Sequence, residues 1–148
     1  MKHDCGLLIA HSRKREESVI AFRGTQGVVW NSISLFHFRI HFELGHLKSK
    51  IDTSVQFNRY FLDAHWTTWT IVEKYLKDKR YANYSVSVTG HSLGGALASI
   101  AALRIVYMGF RPSEGVRLYT FGEPRVGDVH FARLLDRLIP ESFRIVHS

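Results

Sequence analysis

Residues 86–103 read VSVTGHSLGGALASIAAL, and the chemistry they offer is that of an activated serine. Residues 86–89 suit a short buried strand. Gly90-His91-Ser92-Leu93-Gly94 breaks that pattern, and residues 95–103 form a small, apolar run suited to a helix. Strand, G-x-S-x-G and helix together make a nucleophile elbow. Ser92 has to project its hydroxyl from a strained turn, and Gly90 and Gly94 let neighbouring backbone pass without a Cβ in the way. The helix that follows aims its first N–H groups at the same point, where a negatively charged oxygen can be held. Gly95, Ala96 and Ser99 are small enough for that helix to sit close to a sheet. His91 is adjacent to Ser92, at a position expected to point away from any partner of the nucleophile.

The remaining chain supplies elements that could position such a turn. Residues 5–10 and 18–22 are apolar runs joined by a polar tip at 12–17, which predicts a β-hairpin. Residues 28–36 are too apolar for an ordinary surface loop. Phe36, Phe38, Ile40 and Phe42 then alternate with polar residues, as in an extended segment, and 43–54 carries loop signals. Residues 55–78 are predicted as the longest helix, with Phe57, Phe61, His65, Trp69, Val72 and Leu76 on one stripe. His65 reads there as a core histidine with a local hydrogen bond.

Residues 77–84 form a polar connection that contains the glycosylation sequon Asn83-Tyr84-Ser85. The elbow helix is expected to run to about Met108, with Gly109 just past its end. Residues 116–121 predict another strand. Asp128 reads as an N-cap before the stripe Phe131, Leu134, Leu135 and Leu138, and Pro140 stops that helix. Residues 143–146 begin a last strand. Alternating strands and helices after the hairpin argue for an α/β fold, a mostly parallel sheet with helices on both faces. A ligand site in such a sheet lies at the carboxyl ends of the strands, here near residues 24–25, 90–92, 121–123 and 147–148.

The chain has 148 residues, which is one domain by size, and a formal charge of +7. Its basic residues are scattered, apart from Arg13-Lys14-Arg15 at the hairpin tip, and they are not interleaved with aromatics. A nucleic-acid partner is therefore not expected. No apolar run is long enough to span a membrane. Cys5 is the single cysteine, so an intrachain disulfide is excluded. No Cys/His cluster has metal-ligand spacing, and neither a metal nor an organic cofactor is expected.

Four blocks carry a family resemblance: VIAFRGTQ at 19–26, VTGHSLGGALA at 88–98, LYTFGEPRVGD at 118–128 and FRIVHS at 143–148. With these blocks in this order the chain resembles the class 3, fungal-type triacylglycerol lipases, most of all their animal, nematode-like branch. The resemblance implies an α/β-hydrolase fold that acts on a lipid ester at a lipid–water interface, in a protein secreted at full length. It implies Ser92 as nucleophile, with oxyanion-hole N–H groups from Leu93 and Thr25. It also implies a lid over the site that contains Trp30, Ile33, Leu35 and Phe36, whose apolarity suits a surface that opens on lipid.

A serine hydrolase also needs a histidine base and an acid that orients it, and in this fold they follow the serine as Asp or Glu, then His. In the family the acid comes a few residues after the FRIVHS-like strand and the histidine much later, so both are expected beyond Ser148. The chain is thus read as one partial domain, incomplete at both ends and by itself a poor catalyst. Asp128, Glu123, His130 and His147 also follow Ser92. Asp128 has a sufficient role as a cap, Glu123 ends the wrong strand, and His147 lies on the strand that should precede the acid. Two other functions fit the same residues: a lipid- or partner-binding protein that lacks the triad, and an esterase acting on polar or cell-wall esters.

Overall fold

The computed structural model describes residues 6–24, 55 and 58–146. The predicted hairpin forms from β1 (Leu7–Ser12) and β2 (Glu17–Phe22), antiparallel, with Leu7 opposite Phe22 and Ser12 opposite Glu17. Glu16 closes the turn at φ 49°. β2 then pairs in parallel with β3 (Ser85–His91), β3 with β4 (Val116–Phe121), and β4 with β5 (Glu141–Ile145). The sheet order is β1-β2-β3-β4-β5.

Three helices cross over between the parallel strands: α1 (Arg59–Leu76), α2 (Leu93–Tyr107) and α3 (Val129–Leu138). Each parallel strand is added on the same side of the one before it. Right-handed crossovers then carry every helix to the same face. The contacts agree: Tyr75 of α1 bonds the Ser18 hydroxyl of β2 at 2.7 Å, and α2 packs on β2, β3 and β4 as well as on α1 and α3. The mostly parallel sheet is as expected. The expected second helical layer is not found among the described residues, because this strand order contains no reversal that would switch faces.

α2 is the centre of the core. Thirteen of its 15 residues are buried, because the sheet lies beneath it and α1 and α3 flank it. A helix apolar on all sides is stable only in such a position. It ends at Met108 in a Schellman motif, with Gly109 N–H on the Val106 carbonyl and Phe110 N–H on that of Ile105, both at 3.0 Å.

α1 begins later than its periodicity suggests, since Asn58 caps it by accepting the Tyr60 N–H at 3.0 Å. Its stripe Phe61, His65, Trp69, Val72 and Leu76 is buried, and each large apolar member contributes about 1.5–3 kcal/mol. Phe57, placed on the same stripe, lies outside the described residues.

His65 is fully buried, as expected of a core residue, but neither ring nitrogen has a hydrogen-bond partner. The predicted local bond is absent because the ring faces aromatic neighbours, with Trp69 at 5.2 Å and Trp66 at 6.3 Å. Arg104 of α2 stacks on the same two indoles, 3.9 Å from Trp66 and 4.3 Å from Trp69. Burial, then the nearby guanidinium of Arg104, pushes the His65 imidazole down to about 3. His65 is therefore a neutral core side chain.

Candidate active site

Ser92 stands at the junction of β3 and α2 with φ 58° and ψ −124°. Only Glu16 shares a positive φ among the described non-glycine residues. A backbone of this kind costs an L-residue about 1–3 kcal/mol and persists only where its surroundings hold it. Here they do. The Ser92 N–H donates to the Phe121 carbonyl at the end of β4 at 2.9 Å, and its own carbonyl accepts from Gly95 at 2.9 Å and Ala96 at 3.2 Å.

The glycines on either side are required by close approach. A Cβ on Gly90 would lie 2.2 Å from the Gly94 backbone, and one on Gly94 would lie 2.2 Å from the Phe22 carbonyl oxygen. The ends of β2 and β3 and the first turn of α2 thus meet at van der Waals contact. Gly24, two residues past β2, runs alongside, since a Cβ there would sit 3.6 Å from the Ser92 Cβ. The expected convergence of strand ends on the serine is present for β2, β3 and β4.

Serine at a helix N-cap ordinarily spends its hydroxyl on the first-turn N–H groups. Ser92 does not, and its hydroxyl bonds to no described residue. The Leu93 N–H likewise has no partner among the described residues. A hydroxyl and an N–H thus stand side by side without a partner among the described residues, at the positive end of a 15-residue helix. Such a pair can deliver an oxygen nucleophile and hold the negative oxygen that its attack creates. Thr25, the other predicted oxyanion donor, and the predicted lid residues Trp30, Ile33, Leu35 and Phe36 lie outside the described residues, as does His147.

Of the remaining ionisable candidates, Asp128 and Glu123 have other work. His91 is exposed and its ring lies beside Gly122. His130 is exposed on α3. Asp128 caps α3, accepting the Phe131 N–H at 2.9 Å. Glu123 is buried and accepts hydrogen bonds from the hydroxyls of Ser99 and, at 2.8 Å, Thr120. Arg144 of β5 sits 3.6 Å from the same carboxylate and donates to the Glu123 carbonyl at 2.7 Å. Ser99 lies seven residues along α2 from Ser92, about 10 Å at the helical rise, so Glu123, whose stem packs against Gly95, spends its carboxylate behind the elbow and not on Ser92.

Burial pushes the Glu123 carboxyl up, against the opposing pull of Ser99, Thr120 and Arg144. Glu123 acts as a clamp across α2, β4 and β5. Sequence reasoning weighed it only as an acid, although Thr120 and Glu123 at a spacing of three hint at a local bond.

An open cleft of about 620 Å³ lies between α3 and the ends of β4 and β5, lined by Leu118, Glu123, Phe131, Leu135 and Arg144 among others. Ser92 does not line it, so the cleft is separate from the elbow. Among the described residues no three His, Cys, Asp or Glu side chains group as metal ligands, and no helix is long and apolar enough to cross a membrane.

The profile of the class 3 lipases, "Lipase (class 3)", matches residues 19–148. The chain is 54% identical over 91 residues to a lipase of Caenorhabditis elegans, covering 62% of this chain and 26% of that protein. It is 30% identical over 149 residues to secreted mono- and diacylglycerol lipase 1 of Fusarium solani, covering 99% of this chain and 41% of that one. The fold superposes on the triacylglyceride lipase of Rhizomucor miehei with a TM-score of 0.81 at 29% identity, covering 99% of this chain and 54% of that structure. The chain therefore spans between about a quarter and a little over half of the length of these relatives.

Proposed function

The chain belongs to the class 3 lipase family, and from that premise we propose that it is the nucleophile-bearing part of one partial α/β-hydrolase domain whose full-length protein hydrolyses lipid esters. The observation that carries this reading is a strained elbow on which the Ser92 hydroxyl and the adjacent Leu93 N–H bond to no described residue.

In this mechanism a histidine base takes the Ser92 proton as Oγ attacks the acyl carbonyl. The carbonyl oxygen becomes negative and is held by the N–H groups of Leu93 and Thr25. Collapse of the tetrahedral intermediate expels the alcohol, which takes the proton from the base. Water then releases the fatty acid from the acyl-enzyme by the same steps in reverse order. The base and its orienting acid are assigned to the portion of the relatives' length that this chain does not span. The described histidines support that assignment, since none bonds to Ser92. The 148 residues alone are accordingly expected to be nearly inactive.

The relative from Fusarium solani is named a secreted lipase, which supports secretion of the full-length protein. The apolar side chains of Trp30, Ile33, Leu35 and Phe36 support a cover that responds to lipid. The test is hydrolysis by the full-length protein of an emulsified long-chain acylglycerol against a dissolved short-chain ester. The rate should rise sharply above the solubility limit of the acylglycerol and vanish in Ser92→Ala. Equal rates on dissolved and emulsified substrate would point to a polar-ester esterase. No rate on either, in a folded full-length protein, would point to a binding role.

A further inference from the structure

We propose that Asn83 is an N-glycosylation site, and that its glycan occupies the end of the molecule opposite Ser92. The inference rests on the secretion reading above. Residues 83–85 form the acceptor sequon Asn-Tyr-Ser.

A sequon is useful only where the finished fold leaves room for the sugar, and here it does. Asn83 is exposed in the turn between a short 3₁₀ turn (Lys79–Tyr81) and β3. Its amide bonds to no described residue. The turn around it is fixed: the Tyr84 N–H donates to the Tyr81 carbonyl at 3.1 Å. Arg111, itself buried, donates from Nε to the Tyr84 carbonyl at 2.7 Å and from Nη2 to the Tyr81 carbonyl at 2.5 Å. Tyr81 stacks on Tyr75 at 4.9 Å beneath the same turn. The backbone is thus anchored on both sides of Asn83 while its side chain is left in solvent.

β3 runs from Ser85 directly into the elbow, so Asn83 lies about 20 Å from Ser92 along the strand axis. A glycan there leaves the site open. It also places a large hydrated group on the end that would otherwise compete to lie on lipid, favouring approach by the elbow end. The transfer uses a lipid-pyrophosphate-linked oligosaccharide. The Asn83 Nδ2 forms a bond to the first sugar carbon, the carbon–oxygen bond to pyrophosphate breaks, the lipid pyrophosphate leaves, and the amide nitrogen loses one proton.

The test expresses the full-length protein in a eukaryotic secretory host, takes it from the medium, and releases glycans by amidase treatment in heavy-oxygen water before peptide mass analysis. Asn83 should be recovered as heavy-oxygen-labelled Asp. Asn83→Gln and Ser85→Ala should each remove one glycan from the intact mass and Ser85→Thr should retain it, with ester hydrolysis unchanged in Asn83→Gln. An unmodified Asn83 peptide from protein in the medium would overturn the proposal. If the protein does not reach the medium, the secretion reading fails instead. The chain is then directed into the secretory pathway by a foreign signal peptide, and an unmodified Asn83 there overturns the proposal in its turn.

Discussion

The Ser99 hydroxyl donates a hydrogen bond to the Glu123 carboxylate, tying the helix behind the elbow to the turn that ends β4. Thr120 shares that carboxylate and Arg144 lies beside it, so one buried side chain joins α2, β4 and β5. Glu123→Ala should destabilise the full-length protein by about 2–4 kcal/mol, since it leaves two hydroxyls unmatched and opens a cavity. Glu123→Gln should cost much less, because burial already disfavours the charge. Urea denaturation of the two variants measures the difference, and equal losses would mean that the charge itself holds the clamp.

His65 makes stability depend on pH. Its imidazole is held neutral down to about pH 3 in the fold, against an ordinary value of 6.5. The unfolded chain therefore takes up a proton that the folded chain refuses. The stability that depends on neutral His65 is complete above 6.5 and is lost progressively as pH falls from there toward 3. The advantage of His65→Phe over wild type should widen by about 2 kcal/mol between about pH 7 and about pH 5. Urea midpoints at the two pH values check this, and a constant gap would show that His65 is not a neutral core residue.

The strain at Ser92 separates stability from activity. Ser92→Ala keeps a Cβ on the same unfavourable backbone, whereas Ser92→Gly removes it. The glycine variant should be more stable than the alanine variant by about 1–2 kcal/mol, a reversal of the usual order. Both should be inactive. Thermal unfolding of the pair is the measurement, and alanine proving the more stable would contradict the elbow geometry.

Asp128 offers a control for the triad assignment. Asp128→Ala should cost about 1 kcal/mol through loss of the Phe131 cap and leave the hydrolytic rate per folded molecule unchanged. A loss of rate on the order of 10⁴-fold, as expected of a triad acid, would make Asp128 part of the machinery.

The parts of the fold that were legible in the sequence are those set by local pattern. An apolar run marks β2, a three-to-four spacing marks α1, and Asp128 and Gly109 cap their helices by short-range geometry, whereas periodicity alone misses the Asn58 cap that sets the start of α1. The elbow is legible for the same reason, since Gly90, Ser92 and Gly94 work within five residues. Glu123 is different. Its environment is made by Ser99 and Arg144, 24 and 21 residues away, and no local signal joins them. His65 falls between the two cases: periodicity places it in the core, but the missing bond depends on how Trp66, Trp69 and Arg104 pack around it. That the described helices share one face follows from strand order, which the alternation of strands and helices alone does not specify.

Covalent labelling distinguishes Ser92 as the nucleophile from every other serine of the protein. The full-length protein is treated with a long-chain alkyl fluorophosphonate, which forms a bond only with an activated serine, and is then digested for peptide mass analysis. One adduct is expected, on the peptide containing Ser92, in step with complete loss of ester hydrolysis. Labelling at another serine, or hydrolysis that persists in Ser92→Ala beyond the residual left by about a 10⁴-fold loss, would contradict that role.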